Sequence, residues 1–393
     1  MLSRLERLLA SSSRADVQIQ LDRREPIYTN QDTVSGHILL HNESSIHIST
    51  INVTLSGIAT SRLGPGKRIE SHQACFPRLA TDRSFVPNLL QLLQKTQQVF
   101  PPCRTSEYLT LGHGTHTFPF SITFPQTPEC HKKSAEETQP RGSCADLPTQ
   151  SRRTVHLLRR LPPSTGDQTA AAEIIYSLHA TVATGGIIKG SKKTCQTIFF
   201  HPVSDFIPPV DLITERRLIT LDSEDSLKQE IQATYQVDVE LANGGCLLLG
   251  QPIPLKVHIT KINESEYDVS LNDFQSMLIE TTKIRSKSSI ETREHSQLIQ
   301  TMSNMHKLAC PGGTPCGSRL SLDDCFLGYH RLPSTFTSTF ETCNISRSYM
   351  LEIRLGFQFD FAKTRILEVR LPIYIISSPS ESSRLECGFV NHM

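Results

Sequence analysis

The sequence predicts an all-β protein: two tandem antiparallel β-sandwiches of immunoglobulin-like layout, with irregular insertions and one or two short helices. Three observations predict it. Apolar and polar residues alternate with period two in segment after segment, the pattern of strands with one buried face. The alternating segments are joined by turns rich in Gly, Pro, Asn and Asp, with none of the strand–helix–strand rhythm of a parallel sheet. At 393 residues the chain exceeds what one small core organises and fits two domains of ordinary size.

VQIQL at 17–21 alternates through Val17, Ile19 and Leu21. EPIYTNQD then turns the chain, because Pro presets φ while Asn and Asp bond their own backbone. Val34, Ser35 and Gly36 lead into the apolar strand 37–40. INVTLSGIAT at 51–60 alternates through Ile51, Val53 and Leu55, with Gly57 where a strand bends or bulges. The period breaks over 61–106, and within it residues 86–100 read as an amphipathic helix docked on the sheet. Strands resume at 108–124 and end in FPFSITFP, where Phe118, Phe120, Ile122 and Phe124 share one face and Pro125 closes the run. A second insertion, 126–167, is rich in Pro, Ser, Thr and basic residues and reads as a surface loop. Strands return at 173–200, with a turn at Gly185 and Gly186. Residues 1–14 are expected either as a short helix, with Leu2, Leu5, Leu8 and Leu9 on one face, or as a frayed terminus.

HPVSDFIPP at 201–209 has little periodicity and reads as the junction between domains spanning 15–205 and 206–378. Residues 213–231 carry many charges around sparse apolar positions and are ambiguous. Alternation returns at 235–241, followed by the Asn243-Gly244-Gly245 turn and strands at 254–262 and 277–283. A third insertion, 284–345, is polar, rich in Cys, Gly, Ser and Pro, and reads as irregular. Residues 350–361 and 364–376 form a closing hairpin, and 379–393 a polar tail.

Composition narrows the function. Lys and Arg number 40 against 39 Asp and Glu, so no global field draws the chain to nucleic acid or to an anionic membrane. Eleven cysteines are scattered through the chain, and the first sixteen residues lack an apolar signal core because Arg4, Glu6 and Arg7 interrupt it. No apolar run reaches the roughly 20 residues of a membrane span. The expected location is therefore cytoplasmic, with reduced thiols. The chain has no tryptophan, which argues against sugar-binding and WD-type folds.

Two motifs suggest chemistry and neither is complete. Gly112–His116 spells GHGTH, the core of a subtilisin-type histidine motif. A serine hydrolase using His116 also needs a Ser nucleophile and an orienting Asp, and no segment supplies them in that family's pattern. GHGTH reads instead as the turn entering the FPF strand. Cys310, Cys316, Cys325 and Cys343, with His306 and His330 nearby, suggest zinc, but their gaps exceed the two-to-four-residue knuckle. His113 and His116 with His131 form a weaker set still. The expectation is no catalytic residue, no metal and no cofactor.

The strand at 17–21, its turn, Val34-Ser35-Gly36, the strand at 37–40 and the later FPFSITFP together resemble the N-terminal domain of the arrestin superfamily, closest to the fungal α-arrestins. Segments 51–60 and 173–183, and more faintly 235–262 and 350–376, extend the resemblance over roughly half the chain. It implies a non-enzymatic adaptor or scaffold that binds cytoplasmic tails of membrane proteins in endocytic trafficking or ubiquitylation. It also implies that basic residues at the end of the first strand, here Arg23 and Arg24, engage phosphates of such a tail, a task suited to paired guanidiniums. A solvated turn beside Asp22 and Glu25 is the plainer reading of the same pair. Lys189, Lys192 and Lys193, with Arg152-Arg153 and Arg159-Arg160, are further basic clusters suited to a phosphoinositide head group at a membrane surface, or to nothing beyond solvation.

α-Arrestins recruit ubiquitin ligases through Pro-Pro-x-Tyr motifs. Pro101-Pro102, Pro162-Pro163 and Pro208-Pro209 all lack the Tyr. Leu371-Pro372-Ile373-Tyr374 is a partial match inside an apolar alternating strand, where Tyr374 reads as a core side chain. The ligase partnership is thus left open. A retromer-type sorting subunit, which shares the two-sandwich shape, is the alternative within the binding class.

Overall fold

The computed structural model describes residues 15–63, 88–101, 109–126, 160–166, 170–185, 190–203, 212–222, 232–286, 289–322, 331–359 and 363–377. Among them every regular element is a strand. The chain forms two compact units. One comprises Met1–Pro202 with Ile284–Ile290 and Glu341–Ile345, the other Val203–Lys283, Glu291–Phe340 and Ser346–Met393.

The first unit is built from β1 (Ala15–Leu21), β2 (Ile27–Tyr28), β3 (Thr33–Asn42), β4 (Ile46–Ser61), β5 (Asn88–Phe100), β6 (Leu109–Leu111), β7 (Gly114–Thr123), β8 (Ala172–Thr184) and β9 (Gly190–Phe200). β1, β3 and β7 form an antiparallel sheet in that order; β2-β9-β8-β4-β5 form the facing sheet, with β6 added to β4. Alternation turns Val34, Ile38 and Leu40 of β3 and Phe120 and Ile122 of β7 inward. They meet Val53 and Leu55 of β4 and Leu178, Ala180 and Val182 of β8, all fully buried. At one end, Phe124 stacks on Phe200 with centroids 4.7 Å apart and meets Tyr176 edge-on at 5.8 Å. Tyr28 closes this aromatic cluster. The final Phe of FPFSITFP is therefore the residue that ties β2, β8 and β9 together.

Gly36 has a specific reason to be glycine. It pairs with Leu21 across β1 and β3, and a Cβ there would stand 2.2 Å from the Gln20 carbonyl oxygen. Only a residue without a side chain lets the two backbones approach so closely.

The second unit is built mainly from β10 (Ile213–Asp222), β11 (Gln232–Leu241), β12 (Cys246–Leu248), β13 (Leu255–Lys261), β14 (Val269–Ser286), β15 (Ser289–Met302), β16 (Lys307–Cys310), β17 (Arg319–Ser321), β18 (Phe340–Glu341), β19 (Ile345–Phe359) and β20 (Arg365–Ile376), the terminal residues of β14, β15, β18 and β19 named above counting with the first. One sheet runs β10-β11-β13-β17 and the other β12-β20-β19-β14-β15, with β16 on β14 and β18 on β19. Tyr235, Val237 and Val239 from the first sheet pack with Leu351, Ile353, Leu355 and Val369 from the second.

Two expectations are corrected and one ambiguous stretch is resolved in part. The described part of 86–100 is not a helix but the strand β5, Asn88–Phe100. Its register with β4 passes from Gly57–Leu93 to Ile58–Gln91, so Leu92 is an extra residue in a bulge. Leu92 and Leu93 are both buried, and this local break of period two imitates helical spacing. Residues 284–345 are not wholly irregular, since they carry β15 to β18. The ambiguous 213–231 stretch begins with β10, whose ten residues pair with β11. The expected helix at 1–14 lies outside the described residues. The closing hairpin is present as β19 and β20.

Candidate functional site

Arg23 and Arg24 lie in the turn between β1 and β2. Arg23 is held within it: its Nη1 donates to the Ile27 carbonyl and to Asp32 Oδ2 at 3.0 Å. Its guanidinium carbon stands 4.7 Å from the centroid of the Tyr28 ring. Asp32 Oδ2 also accepts the Thr29 N–H at 3.0 Å. Arg23 therefore fixes the turn's shape, and Arg24 beside it is exposed. Burial, opposed in part by the nearby Arg23 charge, raises the pKa of the Tyr28 phenol.

Lys192 and Lys193 are exposed on β9, opposite Val182 and Thr181 of β8. As sequence neighbours in a strand they point to opposite faces. β2 pairs only with Phe199 and Phe200, so Arg23 and Arg24 sit near the far end of the same strand. Six residues separate Lys193 from Phe199, about 20 Å at the rise of a strand. The structure thus places the two basic groups at opposite ends of β9 rather than in one patch. Lys189 lies outside the described residues, as do Arg152-Arg153 and Arg159.

What lies between the two groups is a sheet margin. Among the described residues β1 is an edge strand, and it approaches β9 without backbone pairing. The Asp22 N–H donates to the Ser35 carbonyl at 3.1 Å. By the alternation of an antiparallel ladder, the even-numbered residues of β1 bond to β3, and the N–H and C=O groups of Val17, Ile19 and Leu21 point to the open side. The opposite edge of the same sheet is occupied differently. Gln97 of β5 accepts the Ser121 N–H at 2.9 Å, and Lys95 Nζ donates to the Thr123 carbonyl at 2.9 Å. Side chains cap β7, whereas β1 offers main-chain groups. The period of β1 was legible in the sequence; the capping by Lys95 and Gln97 depends on a pairing that local pattern does not report.

The chemical decoys resolve locally. His116 is exposed on β7, and its Nε2 lies 2.9 Å from the Gly112 carbonyl. A carbonyl only accepts, so this nitrogen donates to the main chain. Cys310 is buried and Cys316 and Cys343 are exposed, none of them in a disulfide. Cys316 Sγ donates to the Ile262 carbonyl at 2.7 Å. Cys325 and His330 lie outside the described residues. Among the described residues no group of three or more His, Cys, Asp or Glu is placed to hold a metal ion. Tyr374 is not a core residue: alternation in β20 turns Leu371, Ile373 and Ile375 inward and leaves Tyr374 half exposed. Its N–H bonds to the Gly245 carbonyl at 2.7 Å, so Pro372 and Tyr374 are fixed in a sheet rather than presented as an extended ligand.

Two domain families match the sequence. That of the arrestin (or S-antigen) N-terminal domain matches residues 17–139, and that of the arrestin (or S-antigen) C-terminal domain matches residues 229–380. The matches occur in order and together span well over half of the chain. The chain belongs to the arrestin superfamily. A curated relative, "Arrestin-related trafficking adapter 10" of the yeast Lachancea thermotolerans, is 24% identical over 183 residues, covering 40% of this chain and 39% of the relative. The chain thus spans about two fifths of the length of that relative. Within the arrestin N-terminal match fall β1, its turn with Arg23 and Arg24, and the β5–β7 cap; β9 with its lysines lies beyond it.

Proposed function

We propose that this arrestin is a non-enzymatic adaptor that captures extended cytoplasmic tails of membrane proteins by strand addition at β1. The open β1 edge, set against a capped β7 edge in the same sheet, carries this reading. An added strand gains main-chain hydrogen bonds from Val17, Ile19 and Leu21 whatever its sequence. Selectivity then falls to the ends, where Arg24 on one side and Lys192 and Lys193 on the other favour anionic groups about 20 Å apart, roughly six residues of extended chain. Arg23 acts by holding the turn.

The name of the yeast relative, a trafficking adapter, supports a place in trafficking; in this reading the trafficking is endocytic, with the protein in the cytoplasm and peripheral to the plasma membrane or endosomes. Peripheral attachment there uses the same lysines. In this reading a ubiquitin ligase reaches the cargo by a route other than a Pro-Pro-x-Tyr motif of this chain.

The test is fluorescence polarisation with a tail peptide bearing two phosphoserines six residues apart, against its unphosphorylated form. Ile19→Pro removes an outward N–H and fills the open edge while sparing the bonds to β3, and should abolish binding of both peptides. Arg24→Glu with Lys192→Glu should weaken the phosphorylated peptide by about tenfold or more. Unchanged binding in both variants would end the proposal.

A further inference from the structure

The second unit has an open strand edge of its own, and it borders a cavity. Among the described residues, β12 ends the β12-β20-β19-β14-β15 sheet and pairs with β20 alone, in parallel, from Cys246–Tyr374 to Leu248–Ile376. The Tyr374 N–H donates to Gly245 O at 2.7 Å and the Leu249 N–H to Ile376 O at 3.0 Å. Odd-numbered residues therefore face β20. The Cys246 N–H and C=O and the Leu248 N–H face the open side, while the Leu248 carbonyl is taken by the Gln251 N–H at 3.2 Å.

Beside this edge opens a cavity of about 450 Å³ whose walls include Cys246, Leu247, Leu248, Pro252, Ile253 and Lys256. Its volume falls within the range of sites that take small ligands or bulky side chains. Among the described residues no acidic side chain lines it. Its rim is cationic. Lys256 is exposed, and Glu240, opposite it in register, is already engaged by Arg319 and His258. Arg331 is also exposed and stands next to the cavity, its Nη1 donating to Gly250 O at 3.3 Å and its backbone bridging Pro252.

We infer that this place is a second peptide-binding groove, distinct from the β1 edge. Its occupant is an extended acidic segment that adds to β12, seats one bulky apolar side chain in the cavity and sets carboxylates against Lys256 and Arg331. The apolar walls supply burial, the β12 edge supplies main-chain hydrogen bonds, and the two cations select for acidic flanks. Cys246 sits in the wall as a built-in reporter. Burial raises the pKa of its thiol, so its alkylation is already slow and any covering occupant slows it further.

The probe is fluorescein-labelled Asp-Glu-Val-Phe-Val-Glu-Asp, with a Lys-for-acid counterpart as control, on the full chain. Saturating acidic peptide should slow iodoacetamide labelling of Cys246, read by peptide mass, by about tenfold or more, and leave the exposed Cys195, Cys316 and Cys343 unchanged. Lys256→Glu with Arg331→Glu should cut its affinity by about tenfold or more and shift preference to the basic counterpart. Ile19→Pro should leave this binding intact, which separates its fate from that of the β1 reading. Unprotected Cys246, or affinity indifferent to the charge reversal, overturns the inference. So does protection by phosphatidylcholine–phosphatidylserine vesicles in place of the peptide, because the rim would then face a lipid surface.

Discussion

Gly57 of β4 packs directly against Tyr176 of β8: a Cβ at position 57 would stand 2.6 Å from the ring's Cε1. The ring has little room to yield. It packs against both Phe124 and Phe200, and its hydroxyl donates to the Pro162 carbonyl at 2.7 Å. On the other side, Leu93 Cγ lies 3.2 Å from the same Cβ position. Overpacking of this kind costs about 1–3 kcal/mol. Gly57→Ala should lower the urea midpoint of the first unit accordingly, followed by far-UV circular dichroism. Gly57→Ala with Tyr176→Leu should lose less than the sum of the two single changes, because the smaller side chain vacates the clash. Additive costs would show that the ring is not the obstruction.

Lys261 presents the opposite problem, a buried charge. It is 1% exposed, and its Nζ donates to the carbonyls of Ser265, Gly312 and Thr314, the last two at 2.6 and 2.9 Å. Three main-chain oxygens from two loops thus converge on one ammonium. Lys261→Met removes the donor and leaves those oxygens unpaired, at about 3 kcal/mol or more. Lys261→Arg should fail to rescue, since a planar fork does not match a compact three-point cage. Limited proteolysis should then cut the Gly312–Gly317 stretch in both variants at concentrations that leave the unsubstituted chain whole.

The fold was readable wherever a strand carries its own period. β1, β3, β7, β8, β11 and β20 alternate cleanly, and Gly36 and Phe124 mark where backbones approach and where the core closes. β5 was not readable. What makes it a strand is the free edge of β4, and the bulge at Leu92 disguises its period. β15 is an edge strand whose exposed Ile290 and Leu298 give it no buried stripe to announce it. The candidate site divides the same way. Arg23 and Arg24 were visible as a basic turn, but the tie from Arg23 to Asp32 spans nine residues and appears only on folding. Tyr374 was misplaced because an alternating apolar strand does not state which of its faces is the inner one.

His201 gives the first unit a pH dependence. Burial lowers its pKa below 6.5, and its backbone N–H, bonded to the Tyr28 carbonyl at 2.9 Å, holds the residue in place. The folded state therefore prefers the neutral ring, while the unfolded chain binds the proton more readily. This contribution to stability is complete above about pH 6.5 and is lost as pH falls from there through the lowered folded pKa. His201→Gln should flatten the fall in urea midpoint across that window without altering it at pH 8. A variant whose midpoint falls as steeply as that of the unsubstituted chain would place the acid sensitivity elsewhere.

The caps on β7 yield a prediction about association. An uncapped edge strand offers unpaired main-chain groups to another chain, and here Gln97 and Lys95 occupy those of Ser121 and Thr123. Neither side chain is needed for the β4–β5 ladder, which is made by backbone atoms. Lys95→Ala with Gln97→Ala should therefore keep the fold, by circular dichroism, and expose a second pairing edge in the three-stranded sheet. Sedimentation velocity over rising concentration should show larger species than the unsubstituted chain forms. Adding Ser121→Pro should reverse the effect, because it deletes the freed N–H and obstructs the edge. Sedimentation identical to that of the unsubstituted chain would mean that the two side chains do not keep β7 closed, and the contrast that singles out β1 as the open edge would lose its basis.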